Sequence, residues 1–305
     1  MRRLAFAALL LATAASAQPS VWQPSPVQGA TEPSAVVAGT TAADWRPIAD
    51  ENLMVINLAD GGTVYIELAP DFAPIHVANI RAFARAGWWD RATVYRVQDN
   101  YVAQWGNNDA GPTPPAGIVT PPPAEYERPI AGLAIRPLGF PDSYAPMAGH
   151  VNGWPVAYDP GRGMAWLTHC YASVGVGRDL APDTGTGGEL YAVIGHAPRH
   201  LDRNIATIGR VIEGIDRLAA RPRGTGSLGF YQADRGETPI PIRSARIAAD
   251  LPAAERPHFE VLRSGRPAFD AFVIGRANRG GTFFNVPAGG VDLCNVNVPV
   301  RRRPS

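Results

Sequence analysis

From residue 53 onward the apolar positions fall into short runs with a period near two, and helical spacing is rare. LMVINLA (53–59) and TVYIELA (63–69) are rich in β-branched and aromatic residues, and Asp60-Gly61-Gly62 parts them. Strand, Asp-Gly turn, strand predicts a hairpin. Next, Val77, Ile80 and Phe83 recur at helical intervals, with Asp71 as a candidate N-cap, Pro74 suited to the first turn and Gly87 able to end the helix. Strands follow around 92–97 and 101–106, then at 164–177, 191–195 and 205–211, before a helix through Ile215 and Leu218. Many strands, two helices and tight turns predict a mainly β fold, a closed antiparallel β-barrel capped by helices.

Three stretches break this rhythm. Residues 18–49 are rich in Pro, Ser, Ala, Thr and Gly without periodicity and predict a flexible segment, although Trp22 and Trp45 could pack onto the domain. Residues 111–160 are dense in Pro and Gly. Phe140, Tyr144, Trp154 and Tyr158 within them need burial, so an ordered surface insertion is expected. Residues 222–305 carry β-like patches at 239–248, 258–262, 269–275 and 282–287 and predict an extension packed on the barrel. The resulting division is 1–17, 18–49, a barrel domain over 50–221, and 222–305.

The first seventeen residues change the compartment. Arg2 and Arg3 precede the apolar run Leu4–Ala14, and Ala15-Ser16-Ala17 is a small-x-small cleavage site. This is the pattern of a secretory signal peptide, and the run is too short to span a bilayer. The mature chain is expected to be secreted without a membrane span, and periplasmic if the source is a Gram-negative bacterium. The formal charge of +1 falls to about −1 once Arg2 and Arg3 are removed, which argues against nucleic acid as a partner. No lysine occurs, which excludes Schiff-base and Walker-type chemistry. Cys170 and Cys294 are the only cysteines. In an exported chain they most simply form one disulfide, the alternative being two buried thiols.

Candidate chemistry centres on TVYRVQDNYVAQWGNN (93–108), which sets Arg96 close to apolar Tyr101 and Val102 and the amide Gln104. An arginine beside an apolar pocket suits a reaction that cuts no bond. The stretch resembles the cyclophilin family of peptidyl-prolyl cis–trans isomerases, in which a strand reading roughly F-H-R-V-x-x-x-F-M-x-Q-G-G carries the catalytic arginine. Three further segments agree in order: the opening strand, Ala-Pro and helix of 62–90, Pro-Ala-Glu-Tyr at 123–126, and HLDRNIATIGRVIEGID at 200–216. The resemblance covers about residues 52–220 with one long insertion.

The resemblance implies an isomerase for proline-containing polypeptides, with no cofactor and no metal. Arg96 falls on the catalytic arginine, Tyr101, Val102 and Gln104 on substrate-binding positions, and Leu201 on the pocket leucine. Trp105 replaces the first glycine of the closing pair, and Gly106 keeps the second. His200 stands where many members have tryptophan, and Arg178 where they have asparagine. Ile205 or Asn204 replaces an active-site histidine. The family's glutamine in S-Q-F-F falls on Glu189 or on Leu190, and its second phenylalanine on Tyr191 or Ala192. An X–Pro rotation must overcome a barrier of ~18–20 kcal/mol. A fixed guanidinium can stabilise the twisted state, in which the prolyl nitrogen regains its lone pair. The altered wall leaves a second reading open, a module that binds proline-containing segments or an envelope partner without useful turnover. Asp183-Thr184-Gly185 matches one aspartic-protease triplet, but that chemistry needs two, and Asp183 is expected in a turn.

Overall fold

The hairpin predicted at the start of the ordered region is the seed of the architecture. In the computed structural model, which describes residues 24–107, 113–280 and 283–303, strands β1 (Leu53–Leu58) and β2 (Thr63–Leu68) pair antiparallel. Gly61, at φ +93°, supplies the left-handed residue of their turn. Met54, Ile56 and Leu58 of β1 face one way, into the main core with Val64, Ile66 and Leu68 of β2. Leu53 and Val55 face the other way and are buried as well, against Phe259 and Val261. Burial on both faces is why β1 reads as a continuous apolar run.

Six more strands complete the barrel: β3 (Thr93–Val97), β4 (Val102–Gly106), β5 (Ser173–Val176), β6 (Leu190–Val193), β7 (Thr207–Glu213) and β8 (Ile240–Ile247). Their order around the closed barrel is β5-β6-β4-β3-β8-β1-β2-β7, returning to β5. The last strand is supplied by residues placed in the extension. The barrel domain therefore runs to Ile247, past the expected boundary at 221, because β1 and β3 would otherwise each lack a partner on one side.

Helix α1 (Pro74–Arg85) closes one end, burying Val77, Ile80 and Phe83 as their spacing requires. Its cap is not Asp71. The Glu125 carboxylate accepts from the backbone N–H of Ile75 and of His76, both at 2.9 Å. An acidic side chain from the Pro-Ala-Glu-Tyr segment thus satisfies the first turn and favours the helix dipole.

The insertion is a separate five-stranded sheet in the order 128–129, 164–167, 154–159, 147–151, 136–137. Trp154 and Tyr158 are buried, whereas Tyr144 is 54 % exposed. Met164–Leu167 belongs to this sheet, so the barrel resumes only at Ser173. A third sheet joins Trp45–Pro47, Phe259–Leu262 and Val300–Arg302. Trp45 is buried at 2 % exposure, and Pro33–Ala38 is a short helix. The part of 18–49 near the barrel is therefore ordered, with strand hydrogen bonds replacing the expected flexibility. Residues 1–23, including the signal segment and Trp22, lie outside the described residues. Two β-like patches also differ from expectation. Pro267–Ala277 is a helix, α2, in which Phe269, Phe272 and Val273 are buried at i, i+3 and i+4. Residues 283–287 form turns and no strand. Cys170 and Cys294 are joined by a disulfide.

Candidate functional site

Arg96 lies where β3 departs from regular pairing. The register between β3 and β4 shifts between Val94 and Arg96, so Tyr95 is an extra residue at a bulge. A bulge breaks the strict alternation of faces. Both Tyr95 and Arg96 consequently reach the same cavity, of about 630 Å³. The guanidinium is held on three sides. Nε donates to the Leu228 carbonyl at 2.7 Å, one terminal nitrogen to Gln104 Oε1 at 2.9 Å, and the other to Gln98 Oε1 at 2.6 Å. Three of its five N–H groups are thus used, leaving two for a ligand. Burial draws its pKa below the ordinary guanidinium value.

A chain of polar groups runs on from Gln104. Its Nε2 donates to the Tyr95 hydroxyl at 2.6 Å, and that hydroxyl donates to Glu189 Oε2 at 2.7 Å. Glu189 Oε1 accepts from the Asn107 backbone N–H at 2.8 Å. Burial, and then the Glu189 charge, push the Tyr95 phenol far above its usual range, so it remains a donor at all working pH. Gly106 leaves room for this carboxylate: a Cβ there would stand 1.9 Å from Glu189 Oε2, so any other residue would have to displace the Glu189 side chain. The alternatives left by the sequence differ in where they point. Glu189 and Tyr191 line the cavity, whereas Leu190 and Ala192 point into the barrel core. Alternation likewise sends Gln104 to the cavity and Trp105 into the core, where the indole fills barrel volume.

The apolar part is built by Val102, Tyr191 and Val193, with Tyr101, Leu201 and Ile205 packed against them. Ile205 lines the cavity; Asn204 instead donates to the carbonyls of His200 and Asp202. Tyr191 turns its hydroxyl away to His169 Nε2, 2.9 Å distant, while His169 Nδ1 lies 3.0 Å from Asp202 Oδ1. With Nδ1–H turned to Asp202, Nε2 accepts a hydrogen bond from the Tyr191 hydroxyl. The aspartate also pairs with Arg199, which forks onto Asp142 of the insertion at 2.8 and 3.0 Å. The floor of the pocket is thereby tied to the inserted sheet.

Seven of the eight predicted site residues, Arg96, Tyr101, Val102, Gln104, Glu189, Tyr191 and Leu201, line this one cavity. His200 does not. It is exposed and stacks on the outer face of Tyr101, with ring centroids 6.1 Å apart and planes 4° apart. The sequence reading missed Tyr95, whose inward turn depends on the bulge. It also missed Leu228 and Phe230. Residues 224–231 run along β3, with Gly224 N–H donating to Val97 O and Tyr231 N–H to Tyr95 O, both at 3.0 Å. Phe230 stacks on Tyr95 at 5.8 Å and lies 5.4 Å from the Arg96 guanidinium. Arg178 lines the cavity as well, with Nε and a terminal nitrogen donating to Asn204 O. Asp183 occupies the expected turn, accepting from the N–H groups of Asp179 and Gly185. Among the described residues no group of three or more His, Cys, Asp or Glu side chains is arranged to hold a metal ion.

Comparison with known proteins matches residues 53–247 to the family described as cyclophilin type peptidyl-prolyl cis-trans isomerase. The crystal structure of the cyclophilin AquaCyp293 from Hirschia baltica superposes with a TM-score of 0.66 at 26% identity, covering 86% of this chain and 95% of that one. A probable peptidyl-prolyl cis-trans isomerase of Brucella suis is 39% identical over 66 residues, and one of Brucella abortus 38% over the same length. These alignments take in 20% of this chain and 33% of each relative, so the chain spans about a third of the curated relatives it matches.

Proposed function

Because this chain belongs to the cyclophilin-type peptidyl-prolyl cis–trans isomerases, we propose that it catalyses rotation about X–Pro bonds in polypeptide substrates, with Arg96 as the catalytic group. One observation carries the reading: a guanidinium fixed on three sides beside an apolar pocket. The proline ring seats against Val102, Tyr191 and Leu201, with Tyr101 closing the rim, and water is excluded from the reacting amide. As the amide twists, its nitrogen loses conjugation and becomes an acceptor. The free N–H groups of Arg96 meet that lone pair, which exists only near the transition state, so the contact lowers the barrier without tightening ground-state binding. Gln104 uses Oε1 to aim Arg96 and one amide N–H on Tyr95, which leaves its other N–H for a substrate carbonyl.

The proposed clients are exported proteins during folding. Arg2-Arg3, the run Leu4–Ala14 and Ala15-Ser16-Ala17 support export, and with it a periplasmic setting in a Gram-negative source. The link between Cys170 and Cys294 is consistent with an oxidising compartment. A second reading, binding of proline-containing segments without useful turnover, draws on the commitment of Gln104 to Tyr95. One assay separates them. The mature chain should accelerate isomerisation of an X–Pro peptide, and Arg96→Ala should lower kcat/KM at least ~10-fold, or ~1.4 kcal/mol, with the fold intact. An active wild type with an equally active variant removes Arg96 from the mechanism. Peptide binding without acceleration by either establishes the second reading.

A further inference from the structure

A second cavity, of about 460 Å³, shares no lining residue with the first. It lies where the inserted sheet, β7 and the C-terminal segment meet, and the Cys170–Cys294 disulfide forms part of its wall. Ile212, Leu293 and Val298 give it an apolar side. The opposite chemistry is polar and unbalanced. Arg210 faces the cavity, donates to Glu67 Oε2 at 2.8 Å and to Gly153 O at 2.7 Å, and stacks on Trp154 at 4.5 Å. Arg46 Nη2 also lies 2.6 Å from Glu67 Oε1, an ion pair whose angle is too poor for a hydrogen bond. Two guanidiniums therefore share one carboxylate that is 2 % exposed, and among the described residues one of the two positive charges has no second carboxylate to balance it. Arg210 retains two N–H groups beyond its three hydrogen bonds.

His150 lines the same cavity, is 1 % exposed, and has no hydrogen-bond partner on either ring nitrogen among the described residues. Burial and then the charge of Arg210 hold its pKa down, to about 3, so the ring is neutral and offers one N–H. Buried polar groups are normally paired, and a buried surplus charge is costly until an opposite charge meets it. A positive surplus and an imidazole donor beside an apolar wall match one class of ligand, an anion on an alkyl chain.

We propose that this cavity binds a medium-chain alkyl carboxylate, its head group between Arg210 and His150 and its tail against Ile212, Leu293 and Val298. The site is separate from the isomerase pocket, so the two ligands bind independently.

Octanoate titrated into the full mature chain by calorimetry tests this. The expected result is one saturable site, with 1-octanol weaker by at least ~10-fold because it lacks the charge. Val298→Trp, which fills the apolar end, should weaken octanoate at least ~10-fold while X–Pro isomerisation is unchanged. His150→Leu should weaken octanoate but not octanol, and serves as the test if the tryptophan variant misfolds by circular dichroism. Three results would overturn the proposal: no saturable octanoate binding, equal affinity for octanol, or undiminished binding in the folded variants. Competition between octanoate and an X–Pro peptide would overturn the claim of a separate site.

Discussion

Tyr95→Phe isolates the hydroxyl that joins Glu189 to Gln104. The ring volume and its stacking on Phe230 are kept, so only two hydrogen bonds are lost. The bond to the Glu189 carboxylate belongs to the charge-assisted class, worth about 1.5–3 kcal/mol, and the one from Gln104 to the neutral class, about 0.5–1.5 kcal/mol. Glu189 is only partly buried and keeps the Asn107 N–H, so water recovers part of the loss. The expected destabilisation is about 2 kcal/mol, a midpoint shift of roughly 1 M in urea. Catalysis should suffer separately. Without Tyr95 one end of the Gln104 amide is released, the group that aims Arg96 is free to rotate, and kcat/KM should fall about 10-fold, mainly in kcat. Glu189→Gln, which keeps an acceptor for Tyr95, should lose much less. An X–Pro peptide assay and urea unfolding on the same samples read both effects. A stable Tyr95→Phe variant with wild-type kcat/KM would refute the idea that Arg96 is positioned through this chain. Destabilisation with unchanged turnover would reduce it to a structural link.

The disulfide closes a sequence separation of 124 residues, so Cys170→Ser with Cys294→Ser should cost up to about 4–5 kcal/mol in the chain-entropy account; an unchanged unfolding midpoint would show the C-terminal segment is held by packing alone. Asp90 has its pKa lowered, first by the hydrogen bonds from Arg246. A depressed carboxylate pKa gives stability that is present above the unfolded value, near 3.8, and lost as pH falls through the folded value. Arg246→Gln should therefore be less stable than wild type at neutral pH, and the gap should close below about pH 4; a gap independent of pH would remove the ion pair as its cause. Gly106→Ala places a Cβ on the Glu189 carboxylate. The variant should lose about 1–3 kcal/mol and show Glu189 displaced in a crystal structure; an unmoved Glu189 at full stability would contradict the packing described.

The barrel was legible in the sequence wherever local pattern carried it. The β1–β2 hairpin, helix α1 and the strand of Arg96 all declare themselves through alternation, helical spacing and turn residues. What local pattern could not show is partnership at long range. Pro267–Ala277 is apolar on so much of its surface that its run reads as a strand, and only packing against Trp45 and Leu293 makes it a buried helix. Glu125 caps a helix fifty residues earlier in the chain, a bond no local rule supplies. In the site, Val102, Gln104 and Tyr191 on regular strands line the cavity, as alternation lets the sequence anticipate, but Tyr95 was not foreseen, because a one-residue bulge reverses its face. Leu228 and Phe230 were missed because the resemblance read from the sequence ended near residue 220, whereas the family match runs to residue 247. His200 was placed by resemblance on a wall that it supports only from outside, through Tyr101.

The closing strand of the barrel has a consequence for synthesis. Strand β8 is the neighbour of both β1 and β3, yet it is made after every other barrel strand. A chain emerging in order, whether from a ribosome or through a translocation channel, must hold two unpaired strand edges until Ile247 appears. Such edges are templates for pairing with other chains, and contacts between distant segments form slowly. The third sheet then waits for Val300–Arg302, and the disulfide for Cys294. This protein, proposed to assist the folding of others, is itself most exposed to misassembly during its own birth, and truncation anywhere before residue 247 should yield an aggregating product in place of a smaller barrel.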